Sequence, residues 1–183
     1  ALWSKDRLKY VTDPVKRRQL DYALLQIETY LLPASRQLRR QVIYGDGNEH
    51  NFILEAKKNS YQLKGLIDFG DMSDSFLAAE PAIALTYALM KTEEPEKTVR
   101  ALLSAYHRAY RLKPAELDIL YYLILARLVI SLTMSAWRRQ AEPRNKYMTV
   151  SEEPGWKLLN SLLTSNPEKW RQLFYKSCKL EPA

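Results

Sequence analysis

Between Val42 and Asp71 the sequence places an aspartate and an asparagine five positions apart, Asp46 and Asn51, within Gly45-Asp46-Gly47-Asn48-Glu49-His50-Asn51. An apolar run, a polar turn and a second apolar run follow, and the last ends in Asp68-Phe69-Gly70-Asp71. Carboxylates and an amide oxygen at two loop tips suit phosphoryl transfer. In that reaction a carboxylate orients the attacking hydroxyl, which loses its proton late, and divalent metal neutralises the triphosphate. Magnesium takes a few hard oxygen ligands, one or two carboxylates with phosphates and water. An aspartate and an amide oxygen on adjacent loops meet that need. Either motif alone arises often by chance. The two in this order, separated by a hairpin and followed by an apolar helix, are much rarer.

For the two loops to meet, the chain between them must fold back. Gln41-Val42-Ile43-Tyr44 reads as a short strand and Gly45-Asp46-Gly47-Asn48 as a loop. Phe52 to Glu55 and Tyr61 to Ile67 read as two strands about the turn Lys57-Lys58-Asn59-Ser60. They predict a hairpin with both loops emerging on one side. Upstream, Asp13-Pro14 is a cap with proline at the first helical position, opening a helix over 14–32. Leu20, Leu24, Ile27 and Leu31 share one face of it, and Pro33 ends or bends it. Downstream, residues 79–91 are almost wholly apolar and predict a central helix buried on most faces. A helix over 94–111 carries Val99, Leu102, Leu103, Tyr106 and Tyr110 on its apolar face, and Lys113-Pro114 breaks it. Pro114 opens a long helix to about Gln140. A polar loop is expected over 141–147. Ser151-Glu152-Glu153-Pro154 then leads into a helix through Leu163, and Asn166-Pro167 into a last one. The expectation is a single domain over 1–183, mainly α with a small β-hairpin (α+β). Its catalytic loops fall within 41–71 and its helical remainder over 72–183.

The segment VIYGDGNEHNFILEAKKNSYQLKGLIDFGDMSDSFLAAEPAIALTYALM resembles the aminoglycoside phosphotransferase and choline kinase family. The family motifs are His-Gly-Asp-x-x-x-x-Asn, then Ile-Asp-Phe-Gly-Asp, then an acidic residue heading an apolar helix. The strings at Ile67-Asp68-Phe69-Gly70-Asp71-Met72 and Ser151-Glu152-Glu153-Pro154-Gly155-Trp156 are similar to the hydroxylysine kinase branch, which includes kinase domains fused to aminotransferases. The resemblance implies a protein-kinase-like fold, of which this chain would be the C-terminal lobe without the N-terminal lobe. It implies that Asp46 is the catalytic, hydroxyl-orienting carboxylate, and that Asn51 and Asp68 bind magnesium. Glu80 would brace the catalytic loop through backbone N–H groups. The implied reaction moves the γ-phosphate of ATP or GTP, with Mg2+, to a hydroxyl of a small metabolite. A hydroxy-amino acid or amino-alcohol is the first choice of acceptor. The partners are then the nucleotide, the acceptor and the chain's own N-terminal lobe. Two departures stand out. Tyr44 occupies the position of the family histidine, a residue that more often props the loop than catalyses. No glycine-rich loop and no strand lysine for the nucleotide occur, so these residues alone are expected to be inactive. The alternative is a pseudokinase or binding module of the same fold without transfer.

Composition sets the remaining bounds. Of 183 residues, 46% are hydrophobic and 27% charged, the balance of a globular domain with a sizeable core. Five glycines against many Leu, Ala, Lys and Arg favour helix. The formal charge of +7 admits nucleic acid or an anionic substrate. Its basic residues are scattered, however, and no nucleic-acid motif accompanies them, so no nucleic-acid partner is expected. Basic helices over 94–147 also make polycationic aminoglycosides poor acceptors. One cysteine, Cys178, cannot form an internal disulfide and reads as inert, which fits a reducing cytoplasm. No apolar run approaches membrane-spanning length, so no membrane association is expected. Trp137, Tyr147 and Trp156 read as core packing before a cation-binding pocket. Arg138 and Arg139 read as cations at a helix C-terminus before anion ligands. Asp71, abutting Asp68-Phe69-Gly70, is a better candidate than Asp74 for added acidity near the metal. His50 reads as a loop or substrate-side residue as readily as a base, and His107 as a surface histidine.

Overall fold

The structure is a computed structural model that describes residues 2–141 and 152–182. It opens with a 3-10 helix over Leu2–Tyr10, which the sequence pattern did not predict. Helix α1 (Pro14–Gln26) starts where Asp13 caps it, its Oδ1 accepting the N–H groups of Val15 at 2.8 Å and Lys16 at 3.1 Å. The helix then widens to a π turn over Ile27–Leu31 before a last short turn, α2 (Leu32–Ala34). Pro33 sits just past that widening. Proline offers no N–H and clashes with the carbonyl four residues back, and a looser turn relieves both.

Two small antiparallel sheets follow. Strands β2 (Phe52–Lys57) and β3 (Ser60–Leu66) form the expected hairpin, Phe52 opposite Leu66 and Lys57 opposite Ser60, with an irregularity at Ile53/Leu54. Strand β1 (Arg40–Ile43) does not join them. It pairs with β4 (Ser73–Phe76), Arg40 opposite Phe76 and Ile43 opposite Ser73. The expectation of a purely helical remainder from 72 is therefore corrected. Ser73-Asp74-Ser75-Phe76 carries little strand signal by itself. What holds it is the ladder to β1, reinforced by Arg40 donating to Asp74 Oδ2 at 2.9 Å. Together the two pairings bring the chain on either side of the hairpin back to one place.

The rest is helical: α3 (Ala79–Lys91), α4 (Pro95–Ala109), α5 (Pro114–Asp118), α6 (Leu120–Ala141), α7 (Glu152–Thr164) and α8 (Pro167–Cys178). The single helix expected from Pro114 is two, divided at Ile119. Asn166 caps α8, its Oδ1 accepting from the N–H of Glu168 at 2.9 Å. The polar loop expected at 141–147 falls, apart from Ala141 at the end of α6, outside the described residues, as do Tyr147 and Ser151.

Helix α6 is the axis of the fold, packed against α3, α7, α1 and the 3-10 helix. Leu120, Ile124, Leu125, Leu128, Val129 and Leu132 are buried along it. It has 22 residues and by length and composition alone is apolar enough to cross a membrane, which corrects only the statement that no apolar stretch approaches that length. In the fold 67% of its most apolar window is buried among the other helices. His107 also corrects its expectation. It is 7% exposed, on the stripe of α4 that buries Val99 and Leu103, and its Nδ1 accepts the N–H of Leu112 at 3.1 Å. Cys178 is buried, and loss of water pushes its thiol up to about 11, so the inert reading stands.

Candidate active site

The loop after β1 is held from below by α3. Glu80, in the first turn of α3, turns Oε2 onto the N–H groups of Tyr44 at 2.6 Å and Gly45 at 3.2 Å. This is the bracing contact the resemblance implied. One turn on, Ala84 lies against Gly47, its Cβ 3.4 Å from where a glycine Cβ would stand. Gly45 adopts a φ of +81°, and a Cβ there would lie 2.8 Å from the carbonyl oxygen of Asp71. Only glycine fits both the left-handed backbone and the close approach of the second loop.

Asp46 stands at the tip of this loop. Its Oδ2 accepts from Asn48 Nδ2 at 2.9 Å and Asn51 Nδ2 at 2.8 Å. Its backbone carbonyl accepts from the same Asn51 amide at 3.0 Å and from the N–H of Asn48 at 2.8 Å. Asn51 is 7% exposed, and its carbonyl accepts from the N–H of Ile67 at 3.1 Å. That bond ties the first loop to the second. Tyr44 makes another tie: its hydroxyl donates to the carbonyl of Ile67, and its ring meets Phe69 edge-on at 5.6 Å. Burial, then the nearby Asp46 and Asp68 charges, raises the Tyr44 phenol above its usual pKa, so it stays a donor.

The second loop turns at Asp68, whose φ is +59°. Aspartate tolerates this region better than most side chains, and Asp68 Oδ1 accepts from the N–H of Gly70 at 3.4 Å. Asp68 is exposed and lines, with Asp46, Asn51 and Asp71, a cleft of about 570 Å³. The three residues expected to orient a hydroxyl and hold a metal thus meet in one place. Asp71 joins them. Asp74 does not, being paired with Arg40 on the outer sheet.

The far wall of the cleft is α6, through Arg127, Ile130, Ser131, Met134, Ser135 and Arg138. Glu152 at the start of α7 accepts from Ser135 Oγ at 3.0 Å and Arg139 Nη1 at 2.7 Å. Arg138 therefore lines the cleft and Arg139 does not. His50 lines it at the exposed rim. Trp137 and Trp156 lie outside it, beneath the cations of Arg7 and Lys16 respectively; Trp156 packs in the core as expected, and Trp137 is only half-buried.

Two residues at the site were not foreseen. Arg127 Nη2 donates to Asp46 Oδ1 at 2.9 Å and to the Tyr87 hydroxyl oxygen at 2.6 Å. A signal for each was present. Arg127 is the one charged residue between Leu120 and Trp137, and Tyr87 falls on the α3 face that already carries Glu80 and Ala84.

Among the described residues, no three His, Cys, Asp or Glu side chains form a cluster able to enclose a metal by themselves. A magnesium held partly by phosphates requires no such cluster.

The mainly α chain, with its small antiparallel sheets and two-loop cleft, is kinase-like in fold. The chain belongs to the phosphotransferase enzyme family, whose sequence pattern matches residues 2–117. It is similar to the hydroxylysine kinase of Xenopus laevis, 27% identical over 165 residues, covering 86% of this chain and 44% of that protein. The mouse hydroxylysine kinase is 28% identical over 147 residues (77% of this chain, 39% of the relative). The bovine one is 23% identical over 181 residues (95% and 48%). The chain spans less than half the length of these curated relatives.

Proposed function

We propose that this chain forms the acceptor-side lobe of a kinase that moves the γ-phosphate of ATP or GTP to a hydroxyl of a small metabolite. A hydroxy-amino acid or amino-alcohol is the acceptor class, by similarity to hydroxylysine kinases. The observation that carries the reading is the meeting of Asp46, Asn51, Asp68 and Asp71 in one cleft.

In this reading Asp46 accepts a hydrogen bond from the acceptor hydroxyl and points its oxygen at the γ-phosphorus. The new O–P bond forms as the β–γ bridging bond breaks. The hydroxyl proton passes to Asp46 late and then to solvent. Asn51 and Asp68 fit a magnesium ion as hard donors. The Asn51 amide nitrogen is spent on Asp46, which leaves its amide oxygen for metal, and Asp68 offers an exposed carboxylate. Magnesium, when bound, supplies the positive charge that neutralises the triphosphate. The hairpin leaves Ile53, Leu54, Tyr61 and Leu63 more than half open or nearly so, at 49%, 55%, 75% and 57% exposure. An apolar surface of this kind suits contact with a nucleotide base and an N-terminal lobe.

The rival, a binding module without transfer, rested on Tyr44 in place of the family histidine. The tether from Tyr44 to Ile67 instead supports an intact loop pair. The test is magnesium-dependent nucleotide consumption by the full-length native protein across hydroxy-amino acids and amino-alcohols. Acceptor-dependent turnover that falls about 10²–10⁴-fold in Asp46→Asn, and is also lost in Asp68→Ala, is the expected result. Parental turnover by either variant would refute the site assignment, and no turnover with any acceptor would favour the binding module.

A further inference from the structure

The reading above leaves Arg127 without a role, although it touches the residue at the centre of the cleft. We propose that Arg127 is the positioning residue that aims the Asp46 carboxylate at the acceptor hydroxyl, an inference that rests on the kinase reading of the cleft. A carboxylate offers about four lone-pair sites. On Asp46, Oδ2 takes two hydrogen bonds, from Asn48 and Asn51, and Oδ1 takes one, from Arg127. The open position is on Oδ1, beside the guanidinium, and an acceptor hydroxyl must use it.

Arg127 is suited to set that position because it is anchored independently of Asp46. Both hydrogens of its Nη2 are committed, one to Asp46 and one to Tyr87. Its guanidinium also lies over the Tyr87 ring, 5.2 Å from the centroid. Tyr87 belongs to the same face of α3 as Glu80 and Ala84, which hold the loop backbone. Helix α3 therefore fixes the loop directly and fixes the carboxylate through Tyr87 and Arg127. The side chains of Arg127 and Asp46 are only 17% and 19% exposed, so water competes little with their bond. Packing alone does not explain an arginine here. Its Nε is buried with no hydrogen-bond partner, a cost that a smaller or apolar side chain would avoid. A nucleophile's base oriented by a third group is a recurrent catalytic arrangement.

The experiment uses the full-length native enzyme and the variants Arg127→Met, Arg127→Lys and Tyr87→Phe, with steady-state kinetics, thermal unfolding and crystal structures. In Arg127→Met, kcat falls about 10–100-fold while the KM for nucleotide stays within about twofold of the parent. Millimolar guanidinium restores part of the lost kcat, and Arg127→Lys retains part of it. Tyr87→Phe, which keeps the ring and removes only the anchor, loses about 3–10-fold and carries the test if Arg127→Met does not fold. In the crystal structures the Asp46 side chain turns away from its parental direction. An unchanged kcat, a loss that guanidinium does not touch and that tracks a fall in unfolding temperature, or an Asp46 left in place would each overturn the proposal. If the parent itself turns over no acceptor, the kinase reading fails, and the Asp46 direction in the variants still decides what Arg127 does.

Discussion

Glu80 gives the most direct access to how the site is built. Its Oε2 accepts from two consecutive backbone N–H groups, Tyr44 at 2.6 Å and Gly45 at 3.2 Å, and Gly45 is buried. Glu80→Ala leaves both donors without a partner. A hydrogen bond to a charged group contributes about 1.5–3 kcal/mol. Partial exposure of Glu80 and the longer second bond put the pair near the low end, about 3 kcal/mol in total. For a unit of this size that lowers the unfolding temperature by about 6–12 °C. Glu80→Gln keeps one carbonyl oxygen for the same donors but loses the charge, also favourable in the first turn of α3, and should cost about half as much. Activity should suffer more than stability in both, because the loop that starts at Tyr44 carries Asp46. The assay pairs thermal unfolding by circular dichroism with acceptor-dependent turnover. An alanine variant that melts within about 1 °C of the parent and keeps its kcat would show that something other than Glu80 holds the loop.

Two further predictions concern buried charge. Glu116 is 2% exposed and accepts from Arg39 Nε at 2.8 Å and Nη2 at 2.6 Å, so Arg39→Met should cost about 3 kcal/mol by stranding a buried carboxylate. Adding Glu116→Gln should recover much of that in urea unfolding, since the amide still caps the N–H of Lys113, and equal loss in the single and double variants would refute the reasoning. Burial pulls His107 below its usual pKa of 6.5, so the unfolded chain takes up a proton at a pH where the folded chain still refuses it. Stability from this site is then full above about pH 6.5 and declines as pH falls through the lower folded value. His107→Gln should flatten that part of the urea-midpoint profile, and parallel profiles for parent and variant would refute it.

The parts of this protein that were legible in the sequence are those whose signal is local. Asp46, Asn51 and Asp68 lie in two short loops, and the alternating runs between them announce the hairpin that joins those loops. Asp13 before Pro14 and Asn166 before Pro167 mark helix starts by chemistry confined to a few residues. Strand β4 was illegible because nothing within Ser73-Asp74-Ser75-Phe76 requires extension. Its hydrogen bonds come from β1, on the other side of a whole hairpin. The division of the long helix at Ile119 likewise has no Gly or Pro to announce it.

The helices carry a different class of signal. His107 follows Val99 and Leu103 at intervals of four, which places it on the buried stripe of its helix and not on the surface. Arg127 interrupts an otherwise uncharged run, and Glu116 is buried one turn into α5. His107 and Glu116 occupy buried positions, and Arg127 stands on the cleft-facing side of α6. Burying such a group is costly unless a specific partner waits for it. For His107 the partner is the N–H of Leu112, for Glu116 it is Arg39, and for Arg127 it is Asp46. Two of these partnerships hold the frame. The third reaches the loop on which the proposed chemistry depends, so a lone charge in an apolar stretch of helix is a signal to read beside the loop motifs, and only its partner tells frame from site.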